Sequence, residues 1–259
     1  MVAQSDAVKQ ELVYPGKLSI GKTGRGVQRV QEWLTFHDVG TLVDGEFGPA
    51  TALALHKFQM LSGVEASGVL DSATWTALTA PLRRATSYSP PNNTGLGAAV
   101  LVVAQVHLKE RPVEIGGDNR GPWVRAYTGG EDGPQWRWCA GFVCFVLRQG
   151  CDAIGMPMPF PYTLSCDSLA YEAKSAGRFV NGELIATGAT PWSELGTCQI
   201  FLVARSEVDW SHVGLSFSGV QGAFSTIEGN TDDMAGSNNG YKVCRRSRGI
   251  SGKDFIRFE

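Results

Sequence analysis

The sequence predicts an α+β protein in two parts, a small helical domain followed by a larger domain in which helices precede strands. Three observations predict it. The stretch PLRRATSYSPPNNTGLG at 81–97 is rich in Pro, Asn and Gly, cannot pack as helix or strand, and reads as a linker. Ahead of it, apolar residues recur at helical spacing; behind it, two helical patterns give way to segments with strand alternation. The expected boundaries are a helical domain at 1–80, the linker at 81–97 and the second domain at 98–259.

In the first domain, GRGVQRVQEWLTF sets Val27, Val30 and Leu34 at i, i+3 and i+7, which predicts a helix over 25–36. A second helix follows the Asp44-Gly45 turn, with Gly48 ahead of Pro49 in its first turn and a stripe of Ala54, Phe58 and Leu61. A third repeats the device: Gly68 in a turn, Asp71 as N-cap, then Trp75 and Leu78. D-G-x-F-G-x-x-T at 44–51 and G-x-L-D-x-x-T-W at 68–75 are related half-repeats.

Residues 16–23, GKLSIGKT, also spell the phosphate-loop pattern G-x-x-x-x-G-K-[ST]. A phosphate loop needs a buried strand before it, and here QELVYP is short and ends in Pro15. No later apolar strand ends in an Asp placed for magnesium, so no nucleotide is expected. Instead, residues 17–80 resemble the peptidoglycan-binding module of bacterial and phage cell-wall enzymes. The resemblance runs from Gly21 through Val27, Gln31 and Leu34, then the block from Asp44 to Thr51, Phe58-Gln59, and the block from Gly68 to Trp75. It implies affinity for peptidoglycan and makes Ile20–Gly24 the lead-in to the first helix. The alternative is a helical bundle with no affinity for the wall.

Beyond the linker, AAVLVVAQVHL predicts a helix over 98–108. Cys139 then stands where the loop GEDGPQWRW enters a helix bearing Ala140, Val143 and Leu147 on one face and stopping near Gly150. A thiol in the first helical turn feels the positive end of the dipole, which favours the nucleophilic thiolate. Of the other cysteines, Cys144 reads as core filler and Cys151 as following the helix stop. Cys198 leads into the apolar run QIFLVA and Cys244 sits in the strand YKVCRR, while Cys166, near another helix start, is the runner-up.

A nucleophile of this kind needs a base. His37 and His56 belong to the first domain and His107 to a structural helix. His212, in DWSHVGLSF, lies on a half-buried strand opposite its apolar neighbours. A third group should orient the imidazole, and GAFSTIEGNTDD offers Glu228 and Asn230 on one strand face, although E-G-N also reads as a surface turn.

These residues resemble the CHAP family, the cysteine/histidine-dependent amidohydrolases and peptidases that cut peptidoglycan. The match takes in Glu114-x-Gly116-Gly117-x-Asn119-x-Gly121-Pro122, Trp138-Cys139-Ala140-x-Phe142-Val143, His212-Val213-Gly214 and Glu228-Gly229-Asn230, and more weakly Phe255-Ile256-Arg257. It implies a papain-like fold, with N-terminal helices packed on an antiparallel sheet. It makes Cys139 the nucleophile, His212 the general base and Glu228 the orienting group, with Asn230 assisting or replacing it. The implied activity is that of an endolysin-like amidase or endopeptidase. Alternatives are a secreted effector with the same chemistry and a wall-binding protein whose second domain is inactive. Some relatives carry an acidic calcium loop before the cysteine; here only Glu131 and Asp132 stand there, so neither metal nor cofactor is expected.

Composition bounds the rest. With 43% hydrophobic and 19% charged residues and a net charge of −2, nothing draws the chain to nucleic acid or an anionic membrane. The basic run Arg245, Arg246, Arg248 reads as a solvated strand face. The N-terminal residues lack the apolar core of a secretory signal, and no apolar run is long enough to span a bilayer. The expectation is a monomer made in the cytoplasm without a signal peptide and acting on the cell wall.

Overall fold

The computed structural model describes residues 5–91, 94–220, 222–234 and 239–259; residues 1–4 and the linker residues 92 and 93 lie outside the described residues. Among the described residues the fold is α+β, with ten α-helices and one six-stranded antiparallel sheet. Two compact units emerge. One takes the described residues from 5 to 86 together with Val113–Gln135; the other takes Ser87–Pro112 and Trp136–Glu259. This differs from the expected division in two ways. Part of the stretch 81–97 is helical, in α5 (Ala80–Ser87) and the start of α6 (Leu96–Lys109), and residues 113–135 belong with the first unit.

The first unit holds α1 (Asp6–Leu12), α2 (Arg25–Phe36), α3 (Pro49–Ser62), α4 (Ser72–Leu78), most of α5, and α7 (Pro122–Thr128). The three helices expected there are present, and Asp71 caps α4 by accepting from the Thr74 N–H at 2.7 Å. The buried residues of α3 are Thr51, Leu55, Phe58 and Gln59, while Leu61 is 71% exposed. ATALALHKFQML carries apolar residues on several faces, so periodicity alone does not fix which one turns inward.

Two buried glutamines explain the half-repeats. Gln31 donates to Asp44 Oδ1 at 2.8 Å and Thr51 Oγ1 at 3.1 Å, and accepts from the Gly45 N–H at 2.8 Å. Gln59 repeats the pattern one helix later, donating to the Val69 carbonyl at 2.9 Å and Thr74 Oγ1 at 3.0 Å and accepting from the Gly68 N–H at 2.8 Å. Each amide ties the turn ahead of the next helix to that helix's first-turn threonine. Gly45 and Gly68 both have positive φ, which their turns require. The same turns occupy GKLSIGKT. Gly21 N–H, within that stretch, donates to the Phe47 carbonyl at 3.0 Å, and Gly24 N–H, just after it, to the Gly45 carbonyl at 2.8 Å, so both amides have backbone partners.

In the second unit the sheet runs in the order β1 (Phe179–Val180), β6 (Lys253–Ile256), β2 (Gln199–Ala204), β3 (Trp210–Val220), β4 (Ala223–Thr231), β5 (Lys242–Gly249). Helix α8 (Cys139–Ile154) packs on β3, β4 and α6. It runs through Gly150 instead of stopping there, and ends at Gly155 in the left-handed conformation. A Cβ at Gly150 would lie 2.7 Å from Val100 Cγ2, so this glycine permits close approach of α6 and α8. Cys151 is therefore a buried helix residue. His212 to Phe217 are buried on both faces of β3, which corrects the half-buried strand expected there.

Candidate active site

Cys139 is the first residue of α8, directly after its N-cap Trp138. The segment is held from the sheet: Trp138 N–H donates to Asn230 Oδ1 at 3.2 Å, and Asn230 Nδ2 donates to the Gly240 carbonyl at 2.7 Å. Asn230 lies at a register shift of β4 with φ 54°, a backbone conformation that Asn tolerates better than most residues. The E-G-N stretch is thus strand with an irregularity, and its Asn holds the segment that leads into α8.

His212 on β3 and Glu228 on β4 are fully buried, with His212 Nε2 2.9 Å from Glu228 Oε2. Arg248 on β5 forks onto the same carboxylate, Nε to Oε1 at 2.7 Å and Nη2 to Oε2 at 2.6 Å, and Thr226 Oγ1 donates to Oε1 at 2.6 Å. Burial opposes the charge on Glu228, but the Arg248 hydrogen bonds and then His212 outweigh it and pull its pKa down to about 2. An ionised carboxylate only accepts, so Nε2 carries a proton and donates. His212 Nδ1 is left buried without a hydrogen-bond partner among the described residues.

Thiol and imidazole shift one another. Cys139 is held well below the ordinary thiol range, first by the Cys166 side chain and then, against burial, by His212. Burial disfavours the imidazolium, yet Cys139 and Glu228 together raise the His212 pKa. The arrangement thus favours a thiolate–imidazolium pair backed by a carboxylate that Arg248 keeps ionised.

The structure brings Cys139, His212, Glu228 and Asn230 into one unit, and of the two candidate orienting groups the short contact to the imidazole is made by Glu228. Two neighbours of these residues were read otherwise from sequence. Arg248 was expected on a solvated face, but its side chain is 9% exposed on Glu228, and Arg246 donates to Thr231 Oγ1 at 2.8 Å and the Asp232 carbonyl at 2.7 Å. Only Arg245 of that run is exposed. Cys166, the runner-up nucleophile, opens α9 (Cys166–Ser175) with its sulfur 3.8 Å from that of Cys139. The remaining groups are placed elsewhere. His107 is buried against Gln149 Oε1 at 3.0 Å, and burial pushes its pKa down to about 4, so it is neutral. Burial pushes the Cys144 and Cys151 thiols up to about 11.

Among the described residues no three His, Cys, Asp or Glu side chains gather as a metal would require, and no helix is long and apolar enough to cross a membrane. Asp132, from the loop ahead of Cys139, binds Arg125 Nη1 at 2.7 Å.

Comparison with known proteins bears on the first unit. The family described as "Putative peptidoglycan binding domain" matches residues 23–78, the stretch that holds both glutamine-tied turns. The chain therefore carries a peptidoglycan-binding module, which associates it with the cell wall. No curated protein matches the chain significantly.

Proposed function

We propose that this protein is a cysteine-dependent peptidoglycan hydrolase, held on the wall by the module at 23–78 and cutting an amide bond with Cys139. One observation carries the reading: a first-turn helix thiol with lowered pKa shares a site with a buried imidazole whose far nitrogen is fixed by an ionised carboxylate. The Cys139 thiolate attacks the scissile carbonyl carbon, and the backbone N–H groups of the first turn of α8 face the developing oxyanion. His212, protonated by the thiol, gives that proton to the leaving amine, and an acyl-thioester forms. The neutral imidazole then takes a proton from water, which attacks the thioester and releases Cys139. Glu228 holds the ring's tautomer and stabilises its charged form. The wall module raises the local concentration of substrate by making the second encounter effectively intramolecular.

The resemblance to the CHAP family supports a papain-like arrangement and a bond in the stem peptide or at its junction with muramic acid. Purified wall should lose turbidity with the wild type and keep it with Cys139→Ala; equal clearing by both would overturn the reading. Mass spectrometry of the fragments assigns the bond: a freed L-alanine amine marks an amidase, and amines deeper in the stem mark an endopeptidase. The biological setting we propose is that of a phage or prophage lysin. Cells making the protein internally should then lyse only once their membrane is permeabilised.

A further inference from the structure

Cys166 has no part in the amide chemistry above, yet it is built into the site. The Ser165 hydroxyl caps α9, accepting from the Ser168 N–H at 3.2 Å, and the next acidic side chain, Asp167, accepts from the Trp210 N–H at 2.7 Å. The helix is thereby pinned to the start of the strand that carries His212, and Cys166 Sγ is held 3.8 Å from Cys139 Sγ, both thiols being free. A disulfide needs its sulfurs about 2 Å apart, so closing this gap takes side-chain rotation of less than about 2 Å. Cys166 is also half-buried where Cys139 is buried, which leaves the pair a route to small oxidants.

We propose that Cys166 is a resolving thiol: oxidation of Cys139 by a peroxide ends in a reversible Cys139–Cys166 disulfide that silences the centre and spares it irreversible damage. The proposal rests on Cys139 being the reactive thiol of the proposed hydrolase, whichever amide it cuts. In the first step the Cys139 thiolate attacks one peroxide oxygen and the O–O bond breaks. Sulfur is oxidised to sulfenic acid, and the departing oxygen takes a proton and leaves as water or an alcohol. In the second, Cys166 sulfur attacks the sulfenic sulfur. The S–S bond forms, the S–O bond breaks, and the expelled hydroxide takes the Cys166 proton to become water. An external dithiol reverses the link by exchange. Without a neighbour in place, a second peroxide would carry Cys139 to sulfinic acid, which thiols do not reduce.

The test is to treat the full-length protein with hydrogen peroxide, quench with an alkylating agent and map peptides by mass spectrometry without reduction. Wild type should yield a Cys139–Cys166 linked peptide about 2 Da lighter than its two thiol halves, reversed by dithiothreitol. Cys166→Ser, which keeps a hydrogen-bond donor beside Cys139, should accumulate Cys139 about 32 Da heavier at a peroxide dose about tenfold lower, with no recovery in dithiothreitol. A wild type that forms no such link, and whose Cys139 reaches sulfinic acid at the same dose as the variant, overturns the proposal. If Cys166→Ser fails to melt cooperatively, the wild-type map alone decides. Because the readout is mass, a protein that forms the link but leaves wall intact overturns the hydrolase reading instead.

Discussion

Glu228 receives four short contacts, two from Arg248 and one each from Thr226 and His212, and its ionisation sets what the site can do. With Cys139 lowered and His212 raised, the ion pair occupies the pH window between them. Reactivity should rise as pH climbs through the Cys139 value and fall once His212 deprotonates. Iodoacetamide should therefore label Cys139 selectively at about pH 6, where an ordinary thiol of pKa about 8.5 is almost wholly protonated. His212→Ala should slow that labelling about tenfold or more; an unchanged rate would detach the imidazole from the thiol. Stability carries its own signature. A Glu228 pKa of about 2 in the fold against about 4.3 unfolded is a depression, so its contribution is complete above the unfolded value and disappears as pH falls through the folded one. That contribution is on the order of 3 kcal/mol. Urea unfolding of Glu228→Gln should lose correspondingly less stability than wild type between pH 6 and pH 2. At this scale the alternation read at His212 missed the burial of both faces of β3, while the position of Cys139 at a helix start was legible because caps and helical spacing are local signals. Arg248 was not, because it reaches Glu228 across the pairing of β4 with β5, and a strand's own pattern does not reveal its partner.

Elements were legible where caps and periodicity agreed and misread where one residue type serves two purposes. Gly150 is indistinguishable in sequence from a helix stop, yet it sits inside α8 against Val100. Gly150→Ala should cost about 1–3 kcal/mol by forcing α6 and α8 apart, although alanine is the better helix former, and thermal melting reads the sign directly. A stabilised variant would show that the two helices can separate freely. In the module, Gln59 is wholly buried and satisfies a turn and a helix start together. Gln59→Leu fills the space but strands the Gly68 N–H and the Val69 carbonyl, and should cost about 2–4 kcal/mol in chemical unfolding. The half-repeat in sequence was thus the trace of a repeated hydrogen-bond device, whose partners at Gly68 and Thr74 are close enough along the chain to read.

At the scale of the whole molecule, residues 113–135 leave their sequence neighbours and complete the first unit, a grouping set by contacts distant in sequence. Arg125 on α7 is 1% exposed and binds Glu11 at 2.6 Å, Glu32 at 2.5 Å and Asp132 at 2.7 Å. Trp123 packs edge-on to Trp33, ring centroids 6.4 Å apart. A chain beginning at residue 87 would keep α7 but lose Glu11, Glu32 and Trp33. It should expose a buried guanidinium and an indole face, bind hydrophobic dyes and aggregate, and recover when residues 1–86 are produced alongside it. In the full-length protein Arg125→Met isolates the same network. Burial already holds Glu32 above the usual carboxylate range with Arg125 in place, so removing the guanidinium drives that carboxyl further towards its protonated form. A raised folded pKa contributes stability below the unfolded value and loses it as pH rises, so the variant should be more stable at about pH 5 than at about pH 8. Near neutrality its deficit should be about 3–5 kcal/mol. A flat pH response, together with a soluble and cooperatively melting chain from residue 87 onward, would mean that the stretch 81–97 divides the protein after all and that Arg125 anchors nothing.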